Sequence, residues 1–401
     1  MLGIAAGLLI VRGLPLEQFA IYTIALAVQT TMVILGDSGV TQSLLARGGA
    51  VAGDRRRFTE VVNAATALRR RLETCTLLVG LPILVALLRS YSVGWTYALG
   101  ACAGVALALR GTILQTLYGT VLYLQLRPID AQKAALAAGL VRVVCTVAAL
   151  ALSRVWLPFL LIGAAGVYLH GELTRRRATA HLDDVASVSA DDQVAMVVAF
   201  RNQLLSGIYF ALQPQITVWI LTLFGTATRV AEAGALGRLA VAFSLVSSAF
   251  TGLALPRFAR YQDPARVRRG YVALVLLMAM IGGGTLVLAW LFPRPLLMVL
   301  GSSYAHLQRE LVWMVGASAL SLVAAAIYLL NTARGWVRGI WMGVPATIAV
   351  QVVLVMSVDV STVRGAILIQ ASAFAAPLLI NLAIALRGMR ADREPVPMVS
   401  S

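Results

Sequence analysis

Apolar residues come in long runs along this chain, broken by short polar patches that are rich in arginine. The runs fall at about 1–11, 18–46, 63–88, 94–124, 130–153, 156–174, 199–224, 231–255, 271–292, 310–332, 336–357 and 363–386. Most are long enough to cross about 30 Å of hydrocarbon as a helix. The pattern predicts an all-α membrane protein with about twelve transmembrane helices. The first run is too short, since eleven residues rise only about 17 Å. It lacks the basic start and small-residue cleavage site of a signal peptide. It reads as the back half of a first helix, either truncated or short.

Composition agrees with this reading. Of 401 residues, 60% are hydrophobic and 12% charged, and the mean hydropathy is +0.85. A soluble domain sits near half apolar and a quarter charged. Soluble enzymes, disordered chains and fibrous proteins are therefore excluded. The net charge of +16 comes from 32 Arg and one Lys. These residues lie between apolar runs, as in the inner loops of membrane proteins, and form no soluble nucleic-acid-binding module. Cys75, Cys102 and Cys145 lie in apolar runs, and His170, His181 and His306 are scattered. No metal site and no cofactor motif is readable.

Sidedness follows from counting the basic residues. With the start assigned to the cytoplasm, the inner loops hold 22 of them, including Arg55–Arg57, Arg69–Arg71, Arg175–Arg177 and Arg266–Arg269, and the outer loops hold 7. A missed crossing would mix the two sets. Both termini are therefore expected in the cytoplasm. The polar stretch His181–Gln193 carries Asp183, Asp184, Asp191 and Asp192. It reads as a solvated linker. The expected organisation is an N-terminal six-helix lobe over 1–177, a linker over 178–198, a C-terminal six-helix lobe over 199–387 and a tail over 388–401.

The halves repeat weakly. A shift of 215 residues sets Glu17 on Glu232, Ala20 on Ala235, Ala25 on Ala240 and Ala27 on Ala242. Six crossings separate the copies, so both have one orientation. A parallel 6+6 repeat is a transporter architecture with its substrate path at the repeat interface.

Three segments then carry a resemblance. Arg12-Gly-Leu-Pro-Leu-Glu17-Gln-Phe-Ala-Ile-Tyr22 resembles the first loop of polysaccharide-export flippases and its entry into helix two. Asp37-Ser-Gly-Val-Thr-Gln-Ser43 is similar to their Asp-x-Gly region, and Gly301-Ser-Ser-Tyr304 to their outer Gly-x-x-Tyr. Ala20 stands where these proteins prefer Gly. The resemblance points to the superfamily of lipid-linked oligosaccharide flippases and multidrug antiporters. It implies a transporter rather than an enzyme, without catalytic residues. The implied cargo is a lipid-linked oligosaccharide, and the implied partners are membrane lipids, a polysaccharide polymerase and glycosyltransferases.

Charges inside spans point to the site. An ionisable group at membrane depth costs at least about 2.5–3.5 kcal/mol. Arg110 and Arg142 fall near the middle of their runs, Arg201 and Arg238 nearer the ends, and Asp37 in the inner half of the second run. Guanidinium stays charged and fits phosphate in bidentate fashion. The excess of cation suits a diphosphate-linked lipid and disfavours a cationic drug. The expected substrate contacts are Arg110, Arg142, Arg201 and Arg238. Asp37 is the candidate for ion coupling, and Gln115, Gln213 and Gln215 for contacts to sugar hydroxyls. Plain structural roles remain open: snorkelling for Arg201, an interface position or pairing with Glu232 for Arg238, and backbone pairing for Arg110 and Arg142. Three other activities stand beside the flippase: a cation-coupled small-molecule antiporter of the same fold, a membrane enzyme, and a non-transporting scaffold of a polysaccharide assembly machine.

Overall fold

The structure is a computed structural model. It describes residues 2–37, 40–51, 53–180, 182–183, 194, 197–198, 213, 216–259, 261, 263–334, 336 and 339–391. Among the described residues the chain is helical and has no strand. Nine helices there are long and apolar enough to cross a membrane. The chain is an all-α, multi-pass membrane protein. Its contacts divide it into two compact units, Met1–Trp219 and Ile220–Ser401. The expected linker at 178–198 lies mostly outside the described residues.

The first unit contains α1 (Leu2–Gly13), α2 (Leu16–Asp37), α3 (Val40–Ala50), α4 (Arg55–Ser90), α5 (Trp95–Leu124), α6 (Pro128–Leu152) and α7 (Trp156–Thr179), and the division falls within α8 (Ile216–Phe224). One helix departs from the sequence reading. The triplet Arg69–Arg71 was expected in an inner loop, yet it lies well inside the 36-residue α4. The reason is a cap. The Asp54 side chain accepts from the backbone N–H of Arg56 and Arg57, so the helix starts eight residues before the apolar run. At 1.5 Å per residue α4 is about 54 Å long, so it overruns the hydrocarbon at its arginine-rich end.

Small residues set the packing. The tightest approach in this unit is between α5 and α7. A Cβ on Gly111 would lie 2.5 Å from the backbone of Tyr168, and one on Gly171 would lie 2.3 Å from the Gly111 carbonyl. Lipid supplies no hydrophobic drive between helices, so such close approach is what gains packing energy. The outward face of α6 leaves Leu136, Leu140, Val144 and Val147 exposed, as a lipid-facing helix does.

The second unit contains α9 (Ala227–Ala240), α10 (Ala242–Ala249), α11 (Leu255–Ala259), α12 (Pro264–Leu291), α13 (Pro293–Met298), α14 (Gln308–Ala333), α15 (Gly343–Ser357) and α16 (Val363–Ala391). Asp263 caps α12 as Asp54 caps α4, accepting from the N–H of Ala265 and Arg266. A π-helical turn, Phe250–Ala254, lies between α10 and α11. Such turns mark local departures from regular helix. Two tryptophans near helix ends are packed against protein. Trp156 is 2% exposed, and Trp336 lies over Gly388 and beside the Tyr271 ring.

Candidate functional site

A cavity of about 300 Å³ opens among α4, α5 and α7 of the first unit. Arg69, Arg70, Arg110 and Arg175 line it together with Glu172, Tyr118 and Tyr168. The glycine crossing fixes its frame, because Arg110 precedes Gly111 and Glu172 follows Gly171.

Each charge is held in its own way. Arg69 is 1% exposed. Its Nη1 donates to Thr116 Oγ1 at 2.7 Å and to the Ile113 carbonyl at 3.4 Å, and its Nη2 donates to Thr41 Oγ1 at 2.7 Å. Thr116 and Thr41 bring α5 and α3 onto α4 through this one side chain. Arg110 Nη1 donates to Glu73 Oε2 at 2.8 Å. Glu73 lies one helical turn beyond Arg69, and both are therefore on one face of α4. Arg175 grips Glu172 with two bonds, 2.8 and 2.7 Å, and Arg176 adds a third at 2.9 Å. Four arginines against two carboxylates leave the cluster cationic. Guanidinium donors around a cavity of this size can hold a phosphate, diphosphate or carboxylate group.

Arg110 lies about 22 Å along α5 from Trp95, Arg175 about 28 Å along α7 from Trp156, and Arg69 about 32 Å along α4 from Ser90. Arg69 and Arg175 are thus toward the arginine-rich ends of α4 and α7, and Arg110 is at the middle of α5.

Of the expected site residues that the structure describes, Arg110 lines this cavity. Arg142 does not. Its side chain packs into a notch on α7 made by Gly163 and Gly166, and its buried Nε has no hydrogen-bond partner. Arg238 is half-buried in the last turn of α9, in the second unit. Glu232, offered above as its partner, bonds His306 Nε2 at 2.7 Å. Gln115 is half-buried on α5 and Gln213 is 4% exposed. Arg201 and Gln215 lie outside the described residues. Asp37 lies in α2, its side chain likewise outside them, and the preceding Gly36 lies against Thr76 of α4 and Leu109 of α5.

Sequence reasoning passed over Arg69, Arg70, Arg175, Glu73 and Glu172. A run of three arginines reads as a solvated loop unless the cap before it is seen. The usable signal was Asp54 followed by Phe58, Val61, Val62 and Ala65, an apolar face at helical spacing that extends α4 back through the charges. Among the described residues no group of His, Cys, Asp and Glu could hold a metal ion.

Comparison with known proteins adds the fold. No family model and no curated protein matches the chain. Among solved structures, an inward-facing multidrug-resistance MATE family transporter of the MOP superfamily superposes with a TM-score of 0.71 at 14% identity, over 98% of this chain and 94% of that one. The lipid II flippase MurJ in an inward closed conformation gives 0.66 at 9% identity, over 98% and 87%. A MOP superfamily transporter from Pyrococcus furiosus, described as having a binding pocket of reverse polarity, gives 0.59 at 14% identity, over 98% and 92%. At these identities the likeness is one of architecture. The chain has the fold of MATE and MurJ transporters of the MOP superfamily, the superfamily to which its loop motifs point.

Proposed function

We propose that this chain is a transporter that flips an anionic lipid, a lipid-linked oligosaccharide, across a bacterial plasma membrane for polysaccharide export. The observation that carries this reading is the four-arginine cavity among α4, α5 and α7. With arginine-rich loops inside, it receives its cargo from the cytoplasmic leaflet, where a lipid-linked sugar is loaded. The diphosphate meets Arg70, Arg110 and Arg175 while its hydrocarbon tail stays in the bilayer, so the head group alone leaves lipid. Gln115, Gln213 and Gln215 offer amides to sugar hydroxyls, and Arg201 and Arg238 are further cations for the path, whereas Arg142, packed on α7, is not part of it. The chain is organised as six-helix lobes over 1–177 and 199–387, with both termini cytoplasmic. Polymerase and glycosyltransferases are the partners that would supply and consume such a cargo. No covalent step is involved.

A second reading, a cation-coupled small-molecule antiporter, is favoured by the likeness to MATE transporters. Charge separates the two. A cavity with four arginines repels a cationic drug, and an anionic head group enters it with favourable Coulomb energy. The test uses the full chain in proteoliposomes, with a fluorescent prenyl-diphosphate oligosaccharide and, separately, a cationic dye. The flippase reading expects flipping of the lipid and its loss in Arg110→Ala and Arg175→Ala protein that inserts normally. Dye transport without lipid flipping would establish the antiporter instead.

A further inference from the structure

Attraction of an anion does not explain Glu73. A wall built only to bind negative charge gains nothing from a carboxylate behind it. Arg110 faces two ways: its guanidinium forms part of the cavity wall, and its Nη1 is held by Glu73 at 2.8 Å. The Glu73 side chain is 12% exposed and that of Arg110 is 37% exposed, so the acid is the sheltered member. The other acid is bound more firmly. Three charge-assisted bonds hold Glu172, and the one to Arg110 holds Glu73.

The charged neighbours of Glu73 can be named by element. On α4 they are Arg69, already bonded to Thr41, Thr116 and Ile113, and Arg70 on the wall. On α5 they are Arg110 and, further along, Tyr118. Across the cavity α7 presents Tyr168, Glu172 and Arg175. From α3 comes the uncharged Thr41. From α2 comes Asp37, whose side chain is outside the described residues. In the empty pocket Glu73 thus gives Arg110 the partner that an anion gives it in the loaded one.

We infer that Glu73 is a proton-linked counter-charge, so that the cavity takes up its anion together with a proton. The inference rests on the anion reading of the cavity. An anion on the open side of Arg110 puts two negative charges across one guanidinium, one of them on the sheltered Glu73. Neutralising Glu73 relieves that repulsion. Linkage is reciprocal: if a bound anion favours the proton, the proton favours the anion by the same factor. Arg110 passes from one partner to the other, and the proton on Glu73 records which one it has.

The test uses the full chain in nanodiscs of zwitterionic lipid, with farnesyl diphosphate as probe. Calorimetric titrations at about pH 6 and about pH 8, in buffers of low and high ionisation enthalpy, count the protons taken up, and the probe's own titration is subtracted. Wild-type protein should bind more tightly at the lower pH, with an excess uptake approaching one proton. Glu73→Gln should bind about tenfold more tightly than wild type at the higher pH, as expected when a competitor holding the site nine-tenths of the time is removed. It should also lose the excess proton. Equal or weaker binding by Glu73→Gln with an unchanged proton count overturns the inference and leaves the anion site standing. No binding by either protein overturns both. If Glu73→Gln does not fold, the wild-type count decides alone, and zero excess protons overturns the inference.

Discussion

The two units build one three-helix contact from opposite chemistry. In the first, α4, α5 and α7 enclose charge. In the second, α12, α14 and α16 enclose hydrocarbon. Counting from the aspartate caps, Arg69 and Glu73 correspond to Met278 and Gly282. Counting from helix starts, Arg110 corresponds to Val323, and Glu172 and Arg175 to Leu379 and Leu382. Met278, Val323 and Leu382 belong to one apolar cluster with Leu322, Ala326 and Ile327. Polar groups of the second unit gather instead at Asn331, which accepts from Tyr271 Oη at 3.0 Å and donates to the Asn381 carbonyl at 2.8 Å. That network is buried, neutral and closed on itself. One helical frame tolerates both fillings because small residues, not the contents of the middle, set how closely its helices approach. The arginine-lined cavity is in the first unit, and its counterpart in the second is apolar.

The sharpest way to break this contrast is at its most buried charge. Arg69→Ala should destabilise the protein by about 3–5 kcal/mol, the range for breaking a buried ionic group's contacts. It removes the bonds that Thr41 and Thr116 accept from the guanidinium and opens the α3–α4–α5 junction. Met278→Ala, its counterpart, should cost about 2–3 kcal/mol through cavity formation alone. Thermal midpoints of the two variants in one detergent check the order. A smaller loss for Arg69→Ala would mean that the charge is structurally idle.

Next in size is the crossing that frames the cavity. Gly111→Ala pushes a methyl into the α7 backbone, which cannot move aside, and should cost about 3 kcal/mol or more. In the second unit a Cβ on Gly282 would meet the Ala319 side chain at 3.0 Å, a contact that a slight shift relieves. Gly282→Ala should therefore cost about 1 kcal/mol or less. Expression and monodispersity of the two proteins, side by side, read out the difference.

The apolar runs made the membrane fold legible, because lipid demands long uninterrupted helices. Candidate spans recur in the structure at Leu16–Gly36, Trp95–Leu124, Pro128–Leu152, Pro264–Leu291 and Gln308–Ala333, close to the runs. The site was legible only in part. Arg110 stood out as a lone charge in an apolar run. Its partner Glu73 is 37 residues away on another helix, and no local spacing joins the two. Arg69 was hidden by its neighbours: Arg70 and Arg71 are exposed, and their company made a buried residue look solvated. Arg142 shows the converse. It satisfied the same rule as Arg110, yet the notch at Gly163 and Gly166 receives it at a helix interface, because small residues on a neighbouring helix are invisible along one strand of text.

The neutral network of the second unit offers a milder break. Asn331→Ala should cost about 2 kcal/mol, because it leaves the Tyr271 hydroxyl and the Asn381 side chain to find other partners in a buried place. Unlike changes at Arg110, it should leave binding of a prenyl diphosphate within about twofold of wild type. A thermal shift together with a binding isotherm tests both halves. A large loss of binding would mean that the units share the anion chemistry after all.

The smallest effect lies at the opposite ends of the helices, where each unit ties the start of its second helix to the loop before its last. In the first unit the tie is neutral: Gln18 Oε1 accepts from the Trp156 N–H at 3.2 Å. In the second it is ionic. Arg229 Nη1 donates to the Ser361 carbonyl at 2.8 Å, and Asp359 Oδ1 accepts from the Ser361 hydroxyl at 2.7 Å and from its N–H at 3.0 Å. These bonds from Ser361, with the nearby Arg229 charge, hold the Asp359 carboxyl below the usual carboxylate range. A carboxyl lowered in the folded state contributes stability above its ordinary value near pH 4. That contribution is lost as pH falls through the folded value. Acid should therefore loosen the α15–α16 loop and leave the α6–α7 loop unchanged. Hydrogen exchange at Ser361 and at Trp156, followed from about pH 6 down to about pH 3 and corrected for intrinsic rates, separates them. In Asp359→Asn the Ser361 amide should exchange at one corrected rate throughout. An equal acid response at both loops would show that the difference between the ties has no consequence for either unit.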